Sequence, residues 1–174
     1  MTASDLRSNP PAAPRTSPEF LSVVVERIAH PIFVKDREFR FVFVNAAFEK
    51  LTGYSAAEVV GKTDFDFFPK AEADFFREKD VEMFTTGATI DVAEERVTVR
   101  DGATHIVSTT KVPLRGDDGE VTHLVGLIHD ITPLKDAQHA LIESKAELER
   151  RVQENTAELK RTQRQLLHKE RLTV

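Results

Sequence analysis

Cysteine is absent from all 174 residues. That absence excludes disulfides, thiolate metal sites, cysteine nucleophiles and any cofactor held through a cysteinyl bond. It suits a reducing compartment, and a cytoplasmic location is expected. Also missing is an apolar run approaching the roughly 18 to 20 residues that cross a bilayer. The N-terminus carries Arg7 but no apolar signal core behind it, so no membrane segment is expected here. The formal net charge of -5 lacks the basic surplus of a general nucleic-acid binder, so no nucleic-acid partner is expected. No phosphate-binding glycine loop, nucleophile with a base, or metal triad can be assembled from the chain, which argues against an enzyme.

What is present divides into four stretches. Residues 1–16 hold Pro10, Pro11 and Pro14 among small polar residues and read as a disordered lead. Over 17–30, Ser17 is placed to cap a flanking helix that starts at Pro18 and sets Phe20, Leu21, Val24, Val25 and Ile28 on one face. Residues 31–132 form the body, and 133–174 a final helix.

Within the body, alternation from Ile32 to Asn45 gives two strands turning at Asp36 and Arg37, with Phe39, Phe41, Phe43 and Asn45 on one face. Gly53 and Gly61 stop short helices over 46–51 and 55–60, the second opened by a Ser55/Glu58 capping box. A longer helix runs over 69–86 to Gly87. Strands over 90–100, 103–115 and 121–131 are separated by Asp101-Gly102 and by Gly116-Asp117-Asp118-Gly119, both strong turn signals. The expected fold is α+β: a five-stranded antiparallel sheet with helices on one face, flanked by an N-terminal helix and a C-terminal coiled-coil helix.

Around Pro133 the apolar spacing changes from two to seven. Leu134, Leu141 and Leu148 recur every seven residues, followed by Val152, Leu159 and Leu166 from the other core position. Gln138, Lys145, Asn155 and Thr162 occupy the remaining core positions and would fix register at some loss of stability. A parallel homodimer, held by the flanking helix and the coiled coil, is expected; the alternative is a single amphipathic helix folded back on the domain.

The order of elements, together with FVNAAF around Asn45, LTGYSAAEVVGK from Leu51 to Lys62, DFDFFP from Asp64 to Pro69 and GLIHDIT from Gly126 to Thr132, resembles a PAS domain. The segment ending in QRQLLHKERL is similar to the linker that leads into sensor histidine kinases. The resemblance implies a sensory and dimerisation module of a two-component signalling protein, with a kinase domain in cis and a response regulator downstream. A freestanding PAS interaction or scaffold protein is the alternative. It also implies that Asp130, Ile131 and Thr132 couple the sheet to the helix, beyond any capping they do. The chain has no phosphoacceptor motif; Lys169 and Glu170 after His168 do not make one.

All twelve phenylalanines precede Thr85. Phe33, Phe43, Phe48, Phe65, Phe75, Phe76 and Phe84 are candidate liners of a ligand pocket, with Asn45, Tyr54, His105 and Thr109 as its polar groups; a filled core is the ordinary meaning of such a pattern. The cofactor is expected to be either none or an unknown small molecule. Flavin-adduct light sensors of the family need a cysteine that this chain lacks, and haem-binding members use a histidine on the long helix, where none occurs. His123 and His129 share a strand face but stand about 20 Å apart at the usual rise, too far to chelate one metal ion. Asp64 and Asp66 suit turn and cap duty better than cation binding.

Overall fold

The computed structural model describes residues 17–172, with side chains through residue 165. The lead over 1–16 and the side chain of Leu166 lie outside the described residues. The chain divides into two compact units, residues 1–129 and 130–174.

In the first unit, α1 (Pro18–Arg27) opens on Ser17, whose hydroxyl accepts from the Phe20 amide, with Pro18 at the first helical position. Then come β1 (Ile32–Lys35), β2 (Phe41–Val44), α2 (Ala46–Thr52), α3 (Ala56–Val59), a 3₁₀ turn (Asp64–Asp66) and α4 (Lys70–Thr86), followed by β3 (Ile90–Thr98), β4 (Thr104–Arg115) and β5 (Val121–Asp130). The capping box at Ser55 and Glu58 forms as its spacing requires, and a second one joins Thr63 to Asp66.

The five strands lie in the order β2-β1-β5-β4-β3. β1 is therefore an interior strand, paired antiparallel with β2 on one side and the central β5 on the other. One core cluster joins the sheet residues Phe33, Val97, Val107, Leu124 and Ile128 to Phe48, Val59, Phe76 and Met83 on the helices. Opposite Phe33 on β5 stands Gly126, where an added Cβ would lie 2.1 Å from Phe33 Cζ. Only a glycine lets that ring lie flat on the strand.

Two irregularities shift side chains away from simple alternation. The β1/β2 register slips between Val34 and Lys35, and Phe39, expected on a strand face, lies instead before β2 at a left-handed φ of 62°. There its ring meets Phe84 edge-on and Arg77 stacks over it, the guanidinium carbon 4.1 Å from the ring centre. The β3/β4 register slips between Val92 and Glu95. This bulge turns Glu95, Val97 and Val99 inward and leaves Glu94 and Arg96 exposed.

The second unit holds α5 (Thr132–Leu172), a helix of 41 residues and, at the usual rise per residue, about 60 Å long. Leu134, Leu141, Leu148, Val152 and Leu159 are all exposed along it. Its charges pair with each other at helical spacing, as where Arg150 bridges Glu147 and Glu154.

Candidate functional site

Two strands, one helix and one 3₁₀ turn each carry a charge into the interior. Lys35, Asp64, Asp80 and Lys111 are all at most 2% exposed. Lys35 follows Phe33 on the core side of β1, and Lys111 follows Val107 and Thr109 on the core side of β4. Asp80 continues the buried series Ala73, Phe76 and Met83 along α4. Asp64 opens the 3₁₀ turn.

Lys35 Nζ donates to both oxygens of Asp64 at 2.7 Å and to Asp80 Oδ2 at 2.8 Å. The other Asp80 oxygen accepts from Lys111 Nζ, which also donates to the Phe76 carbonyl at 3.2 Å. Two cations thus face two anions, and Asp80 bridges them. Burial alone would lower the Lys35 pKa, but Asp64 and Asp80 outweigh it and hold the ammonium above its ordinary value. Burial likewise opposes ionisation of Asp80, yet Lys35 and Lys111 keep its carboxyl below the usual range. The ammonium of Lys35 also lies 4.8 Å from the centre of the Phe41 ring, adding cation–π attraction.

This network floors a cavity of about 30 Å³. Phe33, Phe41, Phe48, Phe68 and Phe76 form its apolar wall, and Lys35, Thr52, Asp64, Glu95 and Lys111 its polar one. Of the expected liners, Phe33, Phe48 and Phe76 stand there together. Thr109 reaches it indirectly, donating its hydroxyl to Glu95 Oε1. Phe75 lines a separate groove between α4 and β3, and Phe65 is exposed at 45%. Phe43, Phe84 and His105 are outside the cavity lining. Tyr54 packs on Phe67 and Phe68 and donates its hydroxyl to the Phe67 carbonyl.

Asn45, also expected at the pocket, is wholly buried in a different duty. Its Oδ1 accepts from the amides of Ile32 and Phe48, starting β1 and capping α2. Its Nδ2 donates to the carbonyls of Val25, Ile28 and His30. One side chain thereby ties the end of α1 to the sheet. Glu26 adds a second tie by accepting from the Ala46 amide. His30 stacks on His129 with ring centres 5.3 Å apart, so the end of α1 meets the end of β5.

Sequence reasoning missed Lys35, Asp80, Glu95 and Lys111. For Lys35, Asp80 and Lys111 the signal was available, since each is a charge on the buried phase of its own strand or helix. Among the described residues no group of three His, Cys, Asp or Glu side chains is placed to hold a metal ion. Asp66 instead accepts from Thr63, which keeps its carboxyl below the usual range.

At the joint, β5 ends with Asp130 and α5 begins at Thr132, leaving Ile131 as the one residue between sheet and helix. Asp130 Oδ1 accepts from the Thr132 amide at 2.9 Å, so the aspartate takes part in starting the helix.

A sheet of this order, wrapped on one side by short helices around an interior pocket, is the arrangement of a sensory domain. The family model described as the PAS fold matches residues 25–136, and the chain belongs to that family. Among curated proteins it is 36% identical to the uncharacterised protein y4lL of Sinorhizobium fredii, over 68% of this chain and 14% of that one. It is 35% identical to the methanogenesis regulatory histidine kinase FilI of Methanothrix harundinacea, over 66% of this chain and 13% of the kinase. A diguanylate cyclase of Vibrio cholerae is 28% identical, over 68% of this chain and 37% of the cyclase. The chain therefore spans a minor part of each relative's length. Among solved structures, an RNA-binding light-oxygen-voltage receptor superposes with a TM-score of 0.64 at 25% identity, covering 80% of this chain and 41% of the receptor. VqmA bound to DPO superposes with a TM-score of 0.58 at 28% identity, covering 67% of this chain and 58% of VqmA.

Proposed function

We propose that the chain is the sensory and dimerisation module of a signalling protein, and that it controls an output enzyme joined to the same polypeptide. The observation that carries this reading is the joint: the last strand passes into a 41-residue helix through one residue, Ile131. A change in the sheet that moves β5 is delivered directly to the base of α5. Ligand or partner binding acts on such a device by favouring one of two arrangements, and a difference of a few kcal/mol is sufficient.

The relatives include both a histidine kinase and a diguanylate cyclase. A histidine kinase, with a response regulator downstream, remains the favoured output because the helix resembles a kinase linker. The module itself is regulatory, not catalytic. The exposed apolar seam of α5 and the exposed Phe20, Leu21 and Val24 of α1 support a homodimer formed through both flanking helices, placed in the cytoplasm. Among the described residues no helix is long and apolar enough to cross a membrane. VqmA is also known in a complex with ligand and DNA, but the acidic balance of this chain favours no nucleic-acid contact by the module itself.

The test is Asp130→Ala in the full-length parent, measured as output activity over the whole stimulus range. The expected result is an altered basal or stimulated level with an unchanged far-ultraviolet spectrum; an unaltered response curve would remove the joint from the signalling path.

A further inference from the structure

Glu95 is the member of the interior polar group that leaves a buried oxygen without a partner. The β3/β4 bulge brings it inside, where it is 8% exposed. Its Oε1 accepts from Thr109, while Oε2 is buried with no partner. Lys35 has matched its three ammonium hydrogens to three carboxylate contacts. Lys111 donates to Asp80 and to Phe76, which uses two of the three hydrogens an ammonium carries. Glu95 and Lys111 both line the cavity.

The charge balance sets what the cavity accepts. Lys35 and Lys111 are matched by Asp64 and Asp80, so an ionised Glu95 would leave the interior with an excess negative charge. Burial pushes the Glu95 carboxyl up from its ordinary value, toward the neutral acid. A neutral carboxyl can donate from the oxygen that now lacks a partner. The polar wall then holds two donors, a carboxyl O–H and an ammonium N–H, facing an apolar wall made largely of phenyl rings. A charged guest would upset the balance and lose its hydration, a large cost in such surroundings.

We propose that the cavity binds a small uncharged carbonyl compound, a ketone or carboxamide, whose oxygen accepts from Glu95 Oε2 and Lys111 Nζ while its alkyl part lies among Phe33, Phe48 and Phe76. This rests on reading the PAS core as a sensor and names the class of molecule it senses. The cavity's 30 Å³ exceeds the roughly 10–15 Å³ that one water needs, so the guest has only a few non-hydrogen atoms. Ligands of that size bind with affinities on the order of high micromolar to millimolar. A groove of about 300 Å³ between α4 and β3 shares Phe76 and Glu95 with the cavity. Those two side chains form the partition a guest must displace.

The experiment is a titration of the full ¹⁵N-labelled chain at pH 6 with acetamide, acetone, acetate and methylammonium, followed through the amides of Val97, Thr109 and Lys111. Saturable shifts with acetamide and acetone, and none with the two ions, are expected. Glu95→Leu should weaken binding at least tenfold, whereas Glu95→Gln, which keeps an N–H donor, should stay within threefold. Amide dispersion without ligand reports whether the Leu variant folds, and the Gln variant with the pH series carries the test if it does not. Binding to wild type should weaken as pH rises and Glu95 ionises, but not in Glu95→Gln. Saturation by acetate or methylammonium without saturation by the carbonyl probes would overturn the carbonyl assignment and leave a sensory cavity standing. So would undiminished carbonyl binding in a folded Glu95→Leu variant. No saturable shift with any probe would overturn the assignment and the ligand-sensing role of the cavity together.

Discussion

The sheet domain and the long helix place the same residue types in opposite surroundings. In the domain, Lys35, Asp64, Asp80 and Lys111 are buried and engaged with one another or with backbone. In α5, among the described residues, the charges lie at the surface, and Leu134, Leu141, Leu148, Val152 and Leu159 are exposed as well. An interior with its charges paired and its rings packed needs no second chain. A helix that displays a heptad seam to water does, because its stability must come from burying that seam. Under the proposed reading, the core of the domain is complete in one chain and the helix is completed by a second.

The contrast is broken most severely by cutting the buried network at its bridge. Asp80→Ala removes the anion shared by Lys35 and Lys111 and should cost about 3–5 kcal/mol in urea denaturation, because two buried cations lose their partner. A loss below about 1 kcal/mol would mean that water already reaches the network. On the helix side, Leu148→Asn should weaken dimer formation at least tenfold in sedimentation equilibrium while leaving the urea midpoint of the domain in place. A shift of that midpoint would show that the two units are not independent in stability.

Gly126→Ala should cost about 1–3 kcal/mol by driving a methyl into the Phe33 ring. Adding Phe33→Leu should recover part of that loss, since the pair shares one contact. The smallest effect belongs to the surface. Glu58 accepts from Arg100 and from Ser55, and its carboxyl is held down to about 2. Its folded value lies below its unfolded one, so its contribution is present above about pH 4.5 and fades as pH falls toward 2. Thermal melts of wild type and Glu58→Gln should differ near pH 6 and converge near pH 2.

Elements whose ends carry local chemistry were legible in the sequence. Asp101-Gly102, the Ser55/Glu58 capping box and Gly53 with its left-handed φ of 77° all stand where their spacing requires. The switch in apolar spacing around Pro133 lies beside the start of α5 at Thr132. Less legible was anything that depends on strand order. Which phenylalanines meet around the cavity follows from β1 lying between β2 and β5, a crossover that no local pattern encodes. Asn45 shares a strand face with Phe41 and Phe43 in the sequence pattern, yet its amide is held by the end of α1 and not by the pocket. Glu95 was overlooked because the β3 bulge resets the inward phase between Val92 and Val97.

Because the chain has no cysteine, one introduced thiol reports on assembly without background. Leu148→Cys lies on the proposed seam, and Ala157→Cys lies on the opposite side of α5. Mild oxidation of each purified variant, followed by non-reducing electrophoresis, tests most directly whether a second copy completes the helix. A parallel, in-register homodimer predicts a covalent species of about twice the 19.6 kDa chain for Leu148→Cys and almost none for Ala157→Cys. Equal cross-linking at both positions, or none at Leu148→Cys in a protein that remains helical, would contradict it.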